Sequence, residues 1–157
     1  MVDFKILVDA DSCPSAVRKI IQKTAISNSV SLVFAANHEI AFDFESDLFS
    51  FVLCPKEQDS ADNYIVENSN VSDIIVTRDL PLAKRLLDKG CSVINDRGTV
   101  FDEKKLSYML EERNLSLQMT ALGIRPGNIS TGFEKKDIKK FAESFSSLVL
   151  KKNKCSR

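Results

Sequence analysis

Nitrogen and sulfur ligands are scarce in this sequence. It has one histidine, and its four cysteines (Cys13, Cys54, Cys91 and Cys155) stand far apart with no C-x-x-C pair. That spacing argues against a zinc ribbon or a redox dithiol, and one histidine excludes a His-rich metal site. Cys54 and Cys91 sit in or beside apolar runs and read as small core residues. A Ser-His-Asp triad would have to use His38, which lies in "AANHEIAFDF" without a nucleophile signature and reads as a loop or surface residue. No apolar run approaches the roughly 18 residues of a membrane span, and "MVDFKILVDAD" lacks the basic and apolar regions of a signal peptide. A cytoplasmic location with no membrane partner is the expectation. With only 5 Gly and 4 Pro, 43% hydrophobic and 28% charged residues, the 157 residues are expected to form one domain around one sizeable core.

Carboxylates, in contrast, are plentiful and unevenly spread. Residues 1–100 hold 10 Lys/Arg against 15 Asp/Glu, and residues 101–157 hold 12 against 7. Such an asymmetry can set carboxylates beside a phosphate-attracting surface, the alternative being ordinary solvated helix faces. Within the acidic part, "ILVDADSCPS" ends an apolar run in two aspartates one residue apart. Like charges in a poorly solvated site raise one another's pKa unless a cation lies between them. A fold keeps such a pair for capping, for a metal or for chemistry.

Short β-rich runs alternate with helical stretches. Strands are expected at "FKILVDA", "VSLVFAA", "FSFVLC", "DIIVT" and "CSVIN", and helices at "CPSAVRKIIQKTA", "DSADNYIVENS", "DLPLAKRLLDKG" and "DEKKLSYMLEER". In the first helix Pro14 falls in the first turn, with Ala16, Val17, Ile20, Ile21 and Ala25 on one face. The third is the best punctuated: Asp79 as N-cap, Pro81 in the first turn, Leu82, Ala83, Leu86 and Leu87 inward, and Gly90 as the stop. "NHEIAFDFESD" is compatible with an edge strand or a loop. After Arg113 comes a loop, "ALGIRPGNISTG", and then a basic amphipathic helix, "FEKKDIKKFAESFSSLVLKK", with Phe133, Ile138, Phe141, Phe145 and Leu148 inward. Apolar strands separated by helices predict an α/β class fold: a three-layer α/β/α sandwich on a mainly parallel sheet. The expected organisation is an α/β core over residues 1–113 and a loop with a C-terminal helical extension over 114–157.

Ligands of such sheets bind outside the C-terminal ends of the strands. Asp9 and Asp11 lie there after the first strand, Asp79 after "IIVT" and Asp96 after "SVIN", and Asp59 and Asp62 open a helix facing the same rim. Singly, Asp59 and Asp79 read as N-caps, Asp62 as a complement to the helix dipole and Asp96 as a turn residue. Together they point to a hard divalent ion, Mg²⁺ or Mn²⁺, because Asp9 and Asp11 cannot both cap the next helix and such ions favour all-oxygen ligands. A carboxylate-held metal of this kind is typical of phosphoryl chemistry. Thr77, Arg78 and Asn63 are candidate contacts to a scissile phosphate, and Lys135, Lys136, Lys139 and Lys140 candidate contacts to a nucleic-acid backbone. The basic last helix could equally mediate a homodimer.

On "DADSCP", "DSADNYI", "VTRDLPLAKRLLDKG", "VINDRG" and "GFEKKDIKKF", in that order over nearly the whole chain, the sequence resembles the YaiI/YqxD family, a branch of the PIN-like nuclease superfamily. The resemblance implies a PIN-like sandwich and carries the metal-binding, catalytic acids over to Asp9, Asp11, Asp62 and Asp79. The implied activity is metal-dependent hydrolysis of phosphodiester bonds in RNA or another single-stranded nucleic acid. One departure is the segment before Ala121, which holds Met119 and Thr120 where the family pattern is richer in arginine. Two other readings compete. A haloacid-dehalogenase-like phosphatase also has a D-x-D motif after its first strand, but Cys13 stands where that motif has Thr or Val. A non-catalytic nucleic-acid- or partner-binding module would keep the fold without the turnover.

Overall fold

The computed structural model describes residues 3–124 and 135–155. Five parallel strands form one sheet: β1 (Lys5–Asp9), β2 (Ser31–Ala36), β3 (Phe49–Leu53), β4 (Ile74–Val76) and β5 (Ser92–Ile94). Their order is β3-β2-β1-β4-β5, with Val8 of β1 opposite Phe34 on one side and Val76 on the other. Chain direction across the sheet reverses between β1 and β4, which opens a crevice at their C-terminal ends.

Among the described residues five α-helices cover the sheet: α1 (Ser15–Asn28), α2 (Ser60–Asn68), α3 (Leu80–Lys89), α4 (Glu103–Ala121) and α5 (Lys135–Cys155). The two-residue period of a strand sorts the core into two halves. Ile6, Val8, Leu32, Phe34 and Val76 meet α1 and α5, while Leu7, Ala35, Ile75 and Val93 meet α2, α3 and α4. This is the expected three-layer α/β/α arrangement. Among the described residues no helix is long and apolar enough to cross a membrane.

Several local expectations shift by a residue or more. Pro14 occupies the N-cap of α1 in extended conformation, one residue ahead of the first helical position. "NHEIAFDFESD" is a loop, held by the buried Gln22 side chain: its amide nitrogen donates to Asp43 Oδ2 (3.0 Å) and its oxygen accepts from the Asp43 backbone N–H (2.9 Å). Phe42 from this loop stacks on Phe34 and Phe49, so its alternating pattern reflects packing against the sheet rather than pairing with it.

Helix α4 continues to Ala121, well past the end expected at Arg113. "NLSLQMT" contains neither glycine nor proline, and the helix stops only where Gly123, at φ 78°, lets the backbone turn back. The boundary expected between 113 and 114 therefore falls inside a helix. Helix α5 is equally integral: Phe141, Phe145 and Val149, spaced by four, are fully buried in the same cluster as β1 and α1. Ile138 and Leu148 are half-buried, and Phe133 lies outside the described residues. Gly98 lets this helix approach the β5 turn, since a Cβ there would stand 2.7 Å from the Lys140 carbonyl oxygen. At the other end Asn153 Nδ2 donates to Asn28 Oδ1 (3.2 Å), so α5 and α1 run side by side in the same direction.

Candidate functional site

The ends of β1 and β4 are tied together by one threonine. Asp9, the last residue of β1, is buried, and its Oδ2 accepts from Thr77 Oγ1 (2.9 Å) and Ser12 Oγ (3.0 Å). Thr77 Oγ1 in turn accepts from the backbone N–H of Asp79 (3.1 Å), and Asp79 Oδ1 caps α3 by accepting from Leu82 N–H (3.0 Å). The punctuation expected for α3 is all present: Asp79 as cap, Pro81 in the first turn, and Gly90 in the left-handed conformation at the end. Thr77 itself is buried and is not among the residues that line the cleft; its hydroxyl bonds Asp9 and the Asp79 backbone.

Above this layer lies a cleft of about 520 Å³. Asp9, Asp11, Asp62 and Asp79 all line it, together with Asp59, Glu57, Arg78 and Arg113. Asp59 occupies the N-cap position of α2 in a left-handed conformation (φ 62°), but its side chain makes no capping bond. Asp62 follows in the first turn of the same helix. Its carboxyl is pushed up to about 6, first by burial and then by the charges of Asp79, Asp9 and Asp59. Asp9 is also raised, chiefly by burial, against the opposing bonds from Thr77 and Ser12. The acids thus act on one another electrostatically.

Asp11 lies in a 3-10 turn at Ala10–Ser12 and is compensated differently. Its Oδ2 accepts from Asn37 N–H (2.9 Å), and its Oδ1 stands 2.6 Å from His38 Nδ1. His38, which the sequence marks as a loop or surface residue, is indeed exposed, yet it partners a cleft carboxylate. Asp9 Oδ1, Asp79 Oδ2 and both oxygens of Asp62 accept no hydrogen bond from any described residue. All are hard oxygen donors of the type Mg²⁺ and Mn²⁺ prefer. As the side chains stand, however, no three His, Cys, Asp or Glu groups among the described residues are gathered closely enough to ligate one ion.

Arg78 lines the cleft and is held from behind by Asp96, whose Oδ2 accepts from its guanidinium at 2.6 Å. Asp96 does sit in the "NDRG" turn, closed by Gly98 N–H on the Asn95 carbonyl (3.2 Å), but the side chain that shapes it is that of Asn95, whose Oδ1 accepts from the backbone N–H groups of Arg97 and Thr99 (3.0 and 2.9 Å). Asn63 is not among the residues that line the cleft, and its Oδ1 accepts from Arg85 (3.1 Å). Lys135 and Lys136 begin α5 at the same end of the sheet but outside the cleft lining. Arg113 and Glu57 line the cleft without having been singled out in the sequence. The expected end of α4 at Arg113 gave no reason to place that side chain at the rim.

Cys13 is buried beside Asp9 and Arg18, and burial pushes its thiol up to about 12, which makes it inert at neutral pH. Cys54 and Cys91 are buried core residues, as their apolar surroundings suggest.

The chain is similar to relatives over most of its length. It is 42% identical to a UPF0178 protein of Treponema denticola over 147 residues, covering 94% of this chain and 92% of the relative. It is 34% identical to one of Psychrobacter cryohalolentis over 148 residues (92% and 99%) and 35% identical to one of Treponema pallidum over 137 residues (87% and 76%). No solved structure matches the chain. The family model described as "Uncharacterized BCR, YaiI/YqxD family" spans residues 7–151, from β1 into the last turns of α5, and so the chain belongs to the YaiI/YqxD family.

Proposed function

We propose that this cleft is a divalent-metal-dependent phosphodiester hydrolysis centre of PIN-like type, acting on RNA or another single-stranded nucleic acid. One observation carries the reading: Asp9, Asp11, Asp62 and Asp79, from three separated segments, line one cleft at the sheet's switch point. Asp9, Asp62 and Asp79 would hold Mg²⁺ or Mn²⁺ through their unpartnered oxygens, with Asp11 as a fourth ligand. Such an ion supplies Lewis acidity, polarising a phosphoryl oxygen and making water a better nucleophile. The chain's own residues do the rest. Thr77 and Ser12 fix the Asp9 carboxylate, the Asp79 cap fixes the second, and Arg78, braced by Asp96, offers its guanidinium to a phosphate.

The test is cleavage of single-stranded RNA by the purified protein with Mn²⁺ or Mg²⁺, abolished by EDTA. Asp79→Asn retains a competent helix cap and Asp9→Asn retains the shape, so both should fold and both should lose about a hundredfold in rate. Activity surviving in both variants would sink the assignment. An aspartyl-phosphate trapped on Asp9 would instead favour a phosphatase.

A second reading, a nucleic-acid- or partner-binding module without turnover, draws on Asp11. Both of its oxygens already have partners in Asn37 and His38, and a site that diverts one acid in this way is less ready for an ion. Binding of RNA without cleavage under any divalent ion would decide for it.

A further inference from the structure

Two guanidiniums line the acidic cleft, and they are held in opposite ways. Arg78 is locked to buried Asp96. Arg113 is exposed and has no ion pair or hydrogen bond with any described residue. It shares the cleft with Asp9, Asp11, Glu57, Asp59, Asp62 and Asp79, any of which is a potential partner. A guanidinium left unpaired among so many carboxylates keeps its planar fork of donors for an anion from outside.

The position of Arg113 follows from helix geometry. Helix α4 runs antiparallel to α3: Leu106 and Leu110 lie beside Lys84, Leu87 and Asp88, whereas Arg113 shares the cleft with Leu80 and Pro81 at the start of α3. At 1.5 Å per residue, the 19 residues of α4 reach about 28 Å against about 15 Å for the 10 of α3. The distal half of α4 therefore extends past the rim, and Arg113 marks the level at which it passes. That side chain comes from α4 and Arg78 from the β4–α3 junction, so two guanidiniums from different elements line one cleft of about 520 Å³.

We propose that Arg113 binds a backbone phosphate neighbouring the one presented to the four aspartates, so that the cleft selects a polynucleotide strand over a mononucleotide or terminal phosphate. This rests on the hydrolytic reading above and assigns its substrate class. The bond is charge-assisted, of the guanidinium–phosphate kind, and carries no base preference.

The experiment compares wild type, Arg113→Gln and Arg113→Lys in Mn²⁺-dependent cleavage of oligouridylates, from the dinucleotide to about twelve nucleotides, over a range of KCl. Because Arg113 is exposed, both variants should fold. Arg113→Gln should lower kcat/KM on the longest strand about tenfold, mainly through KM, with the loss shrinking as the strand shortens. Its plot of log kcat/KM against log salt should be flatter by about one, and Arg113→Lys should restore the slope. An equal loss at every length, or none at any, overturns the role of Arg113. If Asp79→Asn still abolishes cleavage in that case, the hydrolytic reading stands without it. Failure of the wild type to cleave any strand overturns both.

Discussion

Thr77 Oγ1 stands 2.9 Å from Asp9 Oδ2, joining two residues 68 positions apart in the chain. The same hydroxyl accepts from Asp79 N–H, so one buried group sets two cleft carboxylates at once. Thr77→Val keeps the shape and removes the hydroxyl, leaving Asp79 N–H without its acceptor and Asp9 with Ser12 as its one remaining side-chain donor among the described residues. Stability in urea melts should fall by about 1–2 kcal/mol. Because the Thr77 bond opposes the rise in the Asp9 pKa, Asp9 should also titrate higher in the variant, which carboxylate NMR can read. An Asp9 titration unmoved by the substitution would remove Thr77 from the site.

Asp62 should show electrostatic strain through pH. Its carboxyl titrates at about 6 when folded against 3.8 as the ordinary value, so the charged form is disfavoured by folding. The penalty is absent below 3.8, grows as pH rises to about 6, and is constant above. Asp62→Asn should therefore raise metal-free stability at neutral pH by about 1 kcal/mol, solvent screening of this partly exposed group keeping the gain below the full linkage value. The gain should vanish toward acid pH, and added Mn²⁺ should raise the melting temperature of wild type more than that of the variant. Asp11, where the sequence locates the crowding, is the poorer place to seek relief, because its charge already serves His38 and Asn37.

The Arg78–Asp96 pair should respond asymmetrically. Asp96 is buried with a side chain only 7% exposed, whereas that of Arg78 is 53% exposed. Arg78→Gln strands a buried carboxylate and should destabilise by about 2–3 kcal/mol, while Asp96→Asn frees a guanidinium that water can solvate, at a cost of about 1 kcal/mol or less. Denaturant melts of the two variants check the order. Equal losses would mean that the pair is not the main support of Asp96.

Gly98→Ala tests whether α5 is part of the fold or an appendage. The residue has φ +84°, and its new Cβ would meet the Lys140 carbonyl at 2.7 Å, a backbone atom that cannot step aside by rotation. Backbone strain and overpacking together should destabilise by about 2–4 kcal/mol. Hydrogen exchange should rise in α5 around Phe141. Unaltered melting would show that α5 docks more loosely than its buried phenylalanines imply.

The sequence by itself determined the layers. Near-continuous apolar strands, the Asp79, Pro81 and Gly90 punctuation and the Phe141–Phe145 spacing are written within a few neighbouring residues, and local backbone geometry reads them directly. It also determined that Asp9, Asp11, Asp62 and Asp79 share a rim, because every strand in a parallel sheet ends on the same side. It overlooked the reach of α4, since the stop at Gly123 lies beyond a stretch with no periodic apolar face to mark it as helix. Only the tertiary structure decided which partner each polar group takes. Thr77 turned to Asp9, Asp11 to His38, Asp96 to Arg78, and Arg113 to the open cleft. Such pairings depend on where crossover connections bring distant backbone, and on donors and acceptors competing for whatever is within about 3 Å, which no local pattern records.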